Sequence, residues 1–387
     1  MKIPCGMARA NILNSTVSGG VTVYFGTGVN PVNSPAQFFV AWGDELLAGG
    51  MVPTYNSECP EQGVLWFVDE AEADEKYKEI VRALGEPAAG VLVQPTENSE
   101  GAPLILVTGA AGKTGRAVIK ALVRHGLKVR AFVRGEPQAE TVKSLGAREV
   151  VIGDIETPDD YRKAAAGVQA IYHICPNVHP REKEIGLVAI GAARKVNVSR
   201  FVYHSVLHPQ TEKMPHHWQK LRVEEMLFES GLNFTILQPA VYMQNILGGR
   251  ESMVKEGVYR VPYPVETRLS LVDLEDVAET VATVLKEPGH DRAIYELSGS
   301  EAPTQTEIAS AIAGVSGWQV RAEQVSIDSW RRQAGASGLG EYQIETLIKM
   351  FHYYARFGLQ GNSNLLEWLL GRSPTALATF LARELPE

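Results

Sequence analysis

The sequence predicts an α/β fold: a doubly wound parallel sheet with a small carboxyl-terminal substrate lobe, preceded by an α+β module over residues 1–98. Three observations predict it. From Pro103 onward, short apolar runs alternate with amphipathic stretches, the pattern of strands joined by helices on both faces of a parallel sheet. A glycine-rich turn stands between the first of these strands and its helix. The polar run PTENSEGAP, residues 95–103, separates this pattern from a different one upstream, because such a run cannot join a packed core.

Composition narrows the function. A chain of 387 residues favours two domains, 1–98 and 99–387, and can bury a large core. The formal charge of -8, without a Lys/Arg run, argues against nucleic acid as a partner. Three scattered cysteines are too few for a disulfide framework or a metal cluster, so a reducing compartment is expected. The amino terminus lacks the apolar core of a secretory signal, and no window approaches the roughly 20 apolar residues of a membrane span. A cytoplasmic protein without membrane contact is the expectation.

In the first module, GVTVYFG (20–26), GVLWFVD (63–69) and GVLVQP (90–95) read as strands, with a short strand near 51–55. Residues 34–50 read as a helix with Ser34 as N-cap and Pro35 at its first position, and 70–84 as a second amphipathic helix. The order β-α-β-β-α-β is the ferredoxin-like plan. Its bare sheet face makes a homodimer through this module the expectation. By pattern alone it resembles the dimeric α/β-barrel proteins, YCII-related ones among them. No histidine lies within 20–95 to support catalysis there.

In the second region, LILVTGAAGKTG places Gly109, Gly112 and Gly115 between an apolar strand and an amphipathic helix. Glycine lets the chain turn sharply, lets backbone approach a pyrophosphate, and lets the helix pack on the sheet. The free N–H groups of the helix start, and its positive dipole end, then meet the phosphates. Ala111 and Thr114 belong to the same turn. The next strand ends in Arg134, where an acidic residue would bind adenosine ribose hydroxyls. Arginine instead pairs with a 2′-phosphate, and Lys113 adds a second cation, so NADP(H) is expected over NAD(H). Asp154 and Ile155 end the third strand beside the expected adenine, although Asp154 could equally cap the following helix. Cys175 and Pro176 end the fourth strand on the ribose side, with Cys175 read as packing.

These motifs, together with FVRG, RFVYHSVLHP, HHWQKLRVEEMLFESGLNFTILQPAVYMQNI, SLVDLEDVAETVATVL and LLGRSPTALATFLAR, resemble the NmrA-like branch of the atypical short-chain dehydrogenases over residues 103–387. The resemblance implies a Rossmann fold with a carboxyl-terminal substrate lobe. It implies either an NADPH-dependent reductase of a hydrophobic small molecule or a catalytically silent sensor of NADP(H).

Related enzymes use a tyrosine to protonate the substrate and, four residues later, a lysine to bind the nicotinamide ribose. Positions i and i+4 share a helix face. Here Lys220 is present, and His216 stands in the tyrosine's place. His216 is therefore either a proton donor or a packing residue at the helix start. Ser205 is expected to polarise the substrate carbonyl while Tyr203 packs. Pro239 and Ala240 should border the nicotinamide, with Tyr242 as an alternative proton donor and Asn245 facing substrate. Asp273 reads as a helix cap and Asp276 as a charge serving the helix dipole. Residues 330–359 read as a movable wall over the pocket. The leading expectation is an NADPH-dependent reductase of a carbonyl, quinone or imine. The alternatives are a cofactor sensor, or an activity housed in the first module.

Overall fold

The computed structural model describes residues 10–18, 21–28, 37–43, 63–67 and 102–385. The chain separates into two units, Met1–Asn98 and Ser99–Glu387. In the first, β1 (Ala10–Ser18), β2 (Val21–Gly28), β3 (Gln37–Gly43) and β4 (Gly63–Phe67) pair antiparallel in chain order. The strands expected near 20–26 and 63–69 are present. The helix expected over 34–50 is not, because β3 occupies its centre. The run QFFVAWG is aromatic and β-branched, a composition that suits a pleated surface and outweighs the helix-start signal of Ser34 and Pro35. These strands do not support the ferredoxin-like plan. The elements expected at 51–55, 70–84 and 90–95, and with them the basis for a dimer, lie outside the described residues.

The second unit alternates strand and helix. It runs β5 (Leu104–Val107), α1 (Lys113–Arg124), β6 (Lys128–Val133), α2 (Glu136–Ser144), β7 (Glu149–Ile152), α3 (Pro158–Ala165), β8 (Ala170–His173), α4 (Glu182–Val196), β9 (Arg200–His204), α5 (Pro215–Phe228) and β10 (Phe234–Pro239). The lobe elements follow: β11 (Val241–Tyr242), α6 (Arg250–Glu256), β12 (Val258–Val261), β13 (Leu271–Val272), α7 (Leu274–Lys286) and β14 (Ala293–Leu297). The chain ends with α8 (Gln305–Ser316), β15 (Arg321–Gln324), α9 (Ile327–Ala336), α10 (Glu341–Phe357), α11 (Asn364–Leu370) and α12 (Leu377–Glu384).

Seven parallel strands form one sheet in the order β14-β10-β9-β8-β5-β6-β7. The direction of winding reverses between β5 and β8, and the crevice above the strand ends at such a reversal is where this architecture binds ligands. Alternate strand residues feed two cores. Val107 and Tyr172 pack with Ile119 and Leu122 of α1 and Val277 of α7 on one face. Leu106, Ile171 and Tyr203 pack with Tyr161, Ala189 and Val223 on the other. Each fully buried Ile or Leu contributes about 2 kcal/mol. On the second face α4 and α5 touch at Gly186, where a Cβ would stand 2.6 Å from Val223 Cγ2.

The lobe has its own core around Met243, Tyr259, Ile308 and Phe380. Two buried carboxylates at the start of α7 fasten it. Asp273 caps the helix, accepting from Glu275 N at 3.1 Å, and pairs with Arg383 at 2.8 Å. Asp276 does more than the helix-dipole role read from sequence. It accepts from Arg372 Nη2 and Thr375 N, both at 2.6 Å, and so holds the segment leading into α12. Among the described residues, no helix is long and apolar enough to cross a membrane.

Candidate active site

A cleft of about 1370 Å³ opens above the carboxyl ends of the strands, between the sheet and the lobe. Every residue expected from sequence at the cofactor or the reacting centre lines it, except Asp154. Asp154 is exposed and stands outside this lining, and its Oδ1 accepts from Glu156 N at 2.9 Å in a local turn.

The glycine turn meets two of the demands inferred for it, the sharp bend and the tight helix packing. Gly109 has φ +57°, a left-handed conformation that disfavours other residues. At Gly115 a Cβ would stand 2.4 Å from Gly109 O and 2.6 Å from Ala110 Cα, so only glycine lets α1 start this close to the strand. The N-cap of α1 is Gly112, and no side chain caps the first N–H groups. They remain available to an anion. Lys113 and Arg134 are exposed at this end of the cleft, and neither side chain has a hydrogen-bond or ion-pair partner among the described residues. A diphosphate carrying a further phosphate fits this set of donors.

The opposite end is built from paired side chains. Lys220 Nζ donates to Glu182 Oε1 at 2.9 Å and to the His204 carbonyl at 3.2 Å, with the Tyr203 ring 5.4 Å away. Tyr203 Oη donates to the same Glu182 oxygen at 2.9 Å. An ammonium has three donors, so one stays uncommitted. Ser205 does not present a free hydroxyl to substrate: it donates to the buried carboxylate of Glu224, which also accepts from Gln238 Nε2 at 3.0 Å. Burial raises the Glu224 carboxyl, against the lowering influence of Ser205, Gln238 and Lys220. Tyr203 and Ser205, two residues apart, share a side of the strand, and His204 takes the other. His204 Nε2 lies 2.6 Å from Tyr242 Oη, and its Nδ1 lies 2.6 Å from Tyr172 Oη.

His216 lines the cleft, and its buried Nδ1 has no hydrogen-bond partner among the described residues. Its pKa falls well below that of free imidazole, through burial first and then through His217 and Lys220. Burial rather than the lysine therefore keeps it neutral, and an imidazolium acid at this position is not supported. Tyr242 is half-buried beside Thr114, and burial raises its pKa while the Thr114 hydroxyl opposes the rise. Cys175 is buried with its thiol pKa raised, in keeping with packing. Trp330 of α9 and Met350, Phe351 and Tyr354 of α10 form an apolar, largely aromatic stretch of wall, within the segment expected to cover the pocket.

Sequence reasoning missed Glu182, Glu224, His204 and Tyr172. Glu224 had a signal, since it follows Lys220 by four residues on one helix face. Glu182 had none, because it comes from another helix.

The model of the NmrA-like family matches residues 102–382. The NAD(P)H azoreductase of Xenophilus azovorans is 25% identical over 279 residues, which are 72% of this chain and 96% of that protein. The structure of the NADPH-dependent quinone oxidoreductase QOR2 from Escherichia coli, complexed with NADPH, has a TM-score of 0.64 at 26% identity, over 72% of this chain and 99% of that one. Triphenylmethane reductase of Citrobacter sp., complexed with NADP(H), has a TM-score of 0.63 at 26% identity, with coverage of 72% and 99%. With a match spanning nearly all of the second unit, the chain belongs to the NmrA-like family.

Proposed function

We propose that this protein is an NADPH-dependent oxidoreductase that reduces a carbonyl, quinone or imine of a hydrophobic small molecule. NADP(H) is the cofactor, in keeping with the reductases of similar sequence and the NADPH-bound structures of similar fold. One observation carries the reading. The glycine turn, Arg134 (unpaired among the described residues), the anchored Lys220 and the Tyr242 hydroxyl line one cleft, and aromatic residues of α9 and α10 form part of its wall.

When bound, NADPH supplies a hydride. The backbone N–H groups at the start of α1 would hold its diphosphate, and Arg134 with Lys113 its 2′-phosphate. The uncommitted N–H of Lys220 would take a nicotinamide ribose hydroxyl, with Glu182 fixing the ammonium in place. Tyr242 is the better proton donor. It carries an O–H at the cleft, whereas His216 is a neutral imidazole and Ser205 is engaged by Glu224.

The test is NADPH oxidation against a panel of quinones and enones. Turnover that falls by about 100-fold in Tyr242→Phe, with NADPH affinity unchanged, is the expected result. Tight NADPH binding without oxidation by any panel member would replace the reductase by a cofactor sensor.

A further inference from the structure

We infer that His204 is a positioning residue: Tyr172 fixes it as the Nε2–H tautomer, and it thereby turns the Tyr242 hydroxyl proton into the cleft. The inference rests on the reductase reading for its consequence, although not for its geometry.

Tyr172 is fully buried, and among the described residues its hydroxyl has one partner, His204 Nδ1 at 2.6 Å. A buried O–H without an acceptor is costly, so Tyr172 donates and Nδ1 accepts. The imidazole is neutral, since burial first, then Lys220 and His173, lower its pKa to about 3. A neutral ring has one N–H, and it must sit on Nε2. Nε2 lies 2.6 Å from Tyr242 Oη, so the ring donates and the phenol oxygen accepts. The single Tyr242 proton is then excluded from His204 and is left to the cleft side of the ring, where the cleft-lining Thr114 hydroxyl is its other polar neighbour.

The opposite tautomer would reverse every bond in the chain. Nε2 would draw the Tyr242 proton away from the cleft, and Tyr172 would hold a buried O–H with no acceptor. The arrangement is therefore a one-way device. As the substrate oxygen gains negative charge, Tyr242 passes its proton to that oxygen. The O–H bonding pair stays on Oη as phenolate, held by His204 Nε2–H until cleft water returns a proton. Passing the charge further inward would leave a phenolate on Tyr172, where burial strongly disfavours it. His204 thus orients and steadies the donor and does not relay protons to the interior.

The tautomer can be read without turnover. In the full chain with ring-15N histidine, the His204 signals, assigned by their loss in His204→Gln, should show a bare Nδ1 and a protonated Nε2 between about pH 6 and pH 8. A protonated Nδ1 would overturn the inference even if the enzyme turns over. In Tyr172→Phe the tautomer should shift toward Nδ1–H, and kcat should drop about tenfold with the KM for NADPH unchanged. An unaltered tautomer in that variant would equally overturn it. If the wild-type tautomer is as stated and no substrate is ever reduced, the reductase reading fails while the positioning geometry stands.

Discussion

The two ends of the cleft are made of different material. At the glycine-turn end, bare backbone and two cations unpaired among the described residues face the opening, and Gly115 admits no side chain because a Cβ there would stand 2.4 Å from Gly109 O. At the reacting end, the polar groups are paired: Lys220 with Glu182, Ser205 with Glu224, and His204 with two tyrosines. The first end is held by local chain geometry and waits for a charged ligand. The second is held by long-range contacts that also carry the fold. Substitutions at the first end should therefore change binding, and those at the second should change stability and proton delivery.

The largest effect expected from this contrast is at Lys220. Its loss in Lys220→Ala strands a carboxylate at Glu182 that is 3% exposed, which should cost about 3–5 kcal/mol in urea unfolding. Pairing that change with Glu182→Leu should restore most of the stability without restoring NADPH affinity. If Lys220→Ala unfolds like the parent, the ion pair does not support this end. Next comes Gly115→Val, which must push the turn open and should weaken NADPH by about 100-fold in calorimetry. A value within twofold of the parent would mean the close approach at this turn is not used.

Arg134→Asp should lower the preference for NADPH over NADH by about tenfold while leaving the unfolding midpoint unchanged, since the side chain is exposed and, among the described residues, unpaired. The smallest effect per residue concerns acid. Burial lowers His173 and His204 to about 3, and His217 to about 4. The unfolded chain, with imidazoles near pKa 6.5, therefore takes up protons that the folded chain refuses. Stability is present above about pH 6.5 and falls below it, by on the order of 1 kcal/mol per histidine near pH 5.5. Thermal unfolding that is flat over this range would show that these rings titrate freely.

The same contrast explains what the sequence reveals. The glycine turn was legible because a backbone demand is written as consecutive glycines between a strand and a helix. The place of Arg134 at the cleft was legible because a strand end has a fixed place on the edge of the sheet. The residues that hold the reacting end come from separate elements: Glu182 lies 38 positions from Lys220, and Tyr172 lies 32 from His204. No local pattern announces such pairs. Ser205 was misread for this reason, since its acceptor Glu224 is on α5. The helix expected over 34–50 failed differently: the cap signals of Ser34 and Pro35 are outweighed by the β-favouring run Gln37–Gly43 that follows them.

The most direct measurement is a calorimetric titration of the purified full chain with NADPH and, in parallel, NADH. The account predicts one site per chain that takes NADPH more tightly than NADH. Uptake of neither nucleotide, or equal affinity for both, would contradict it.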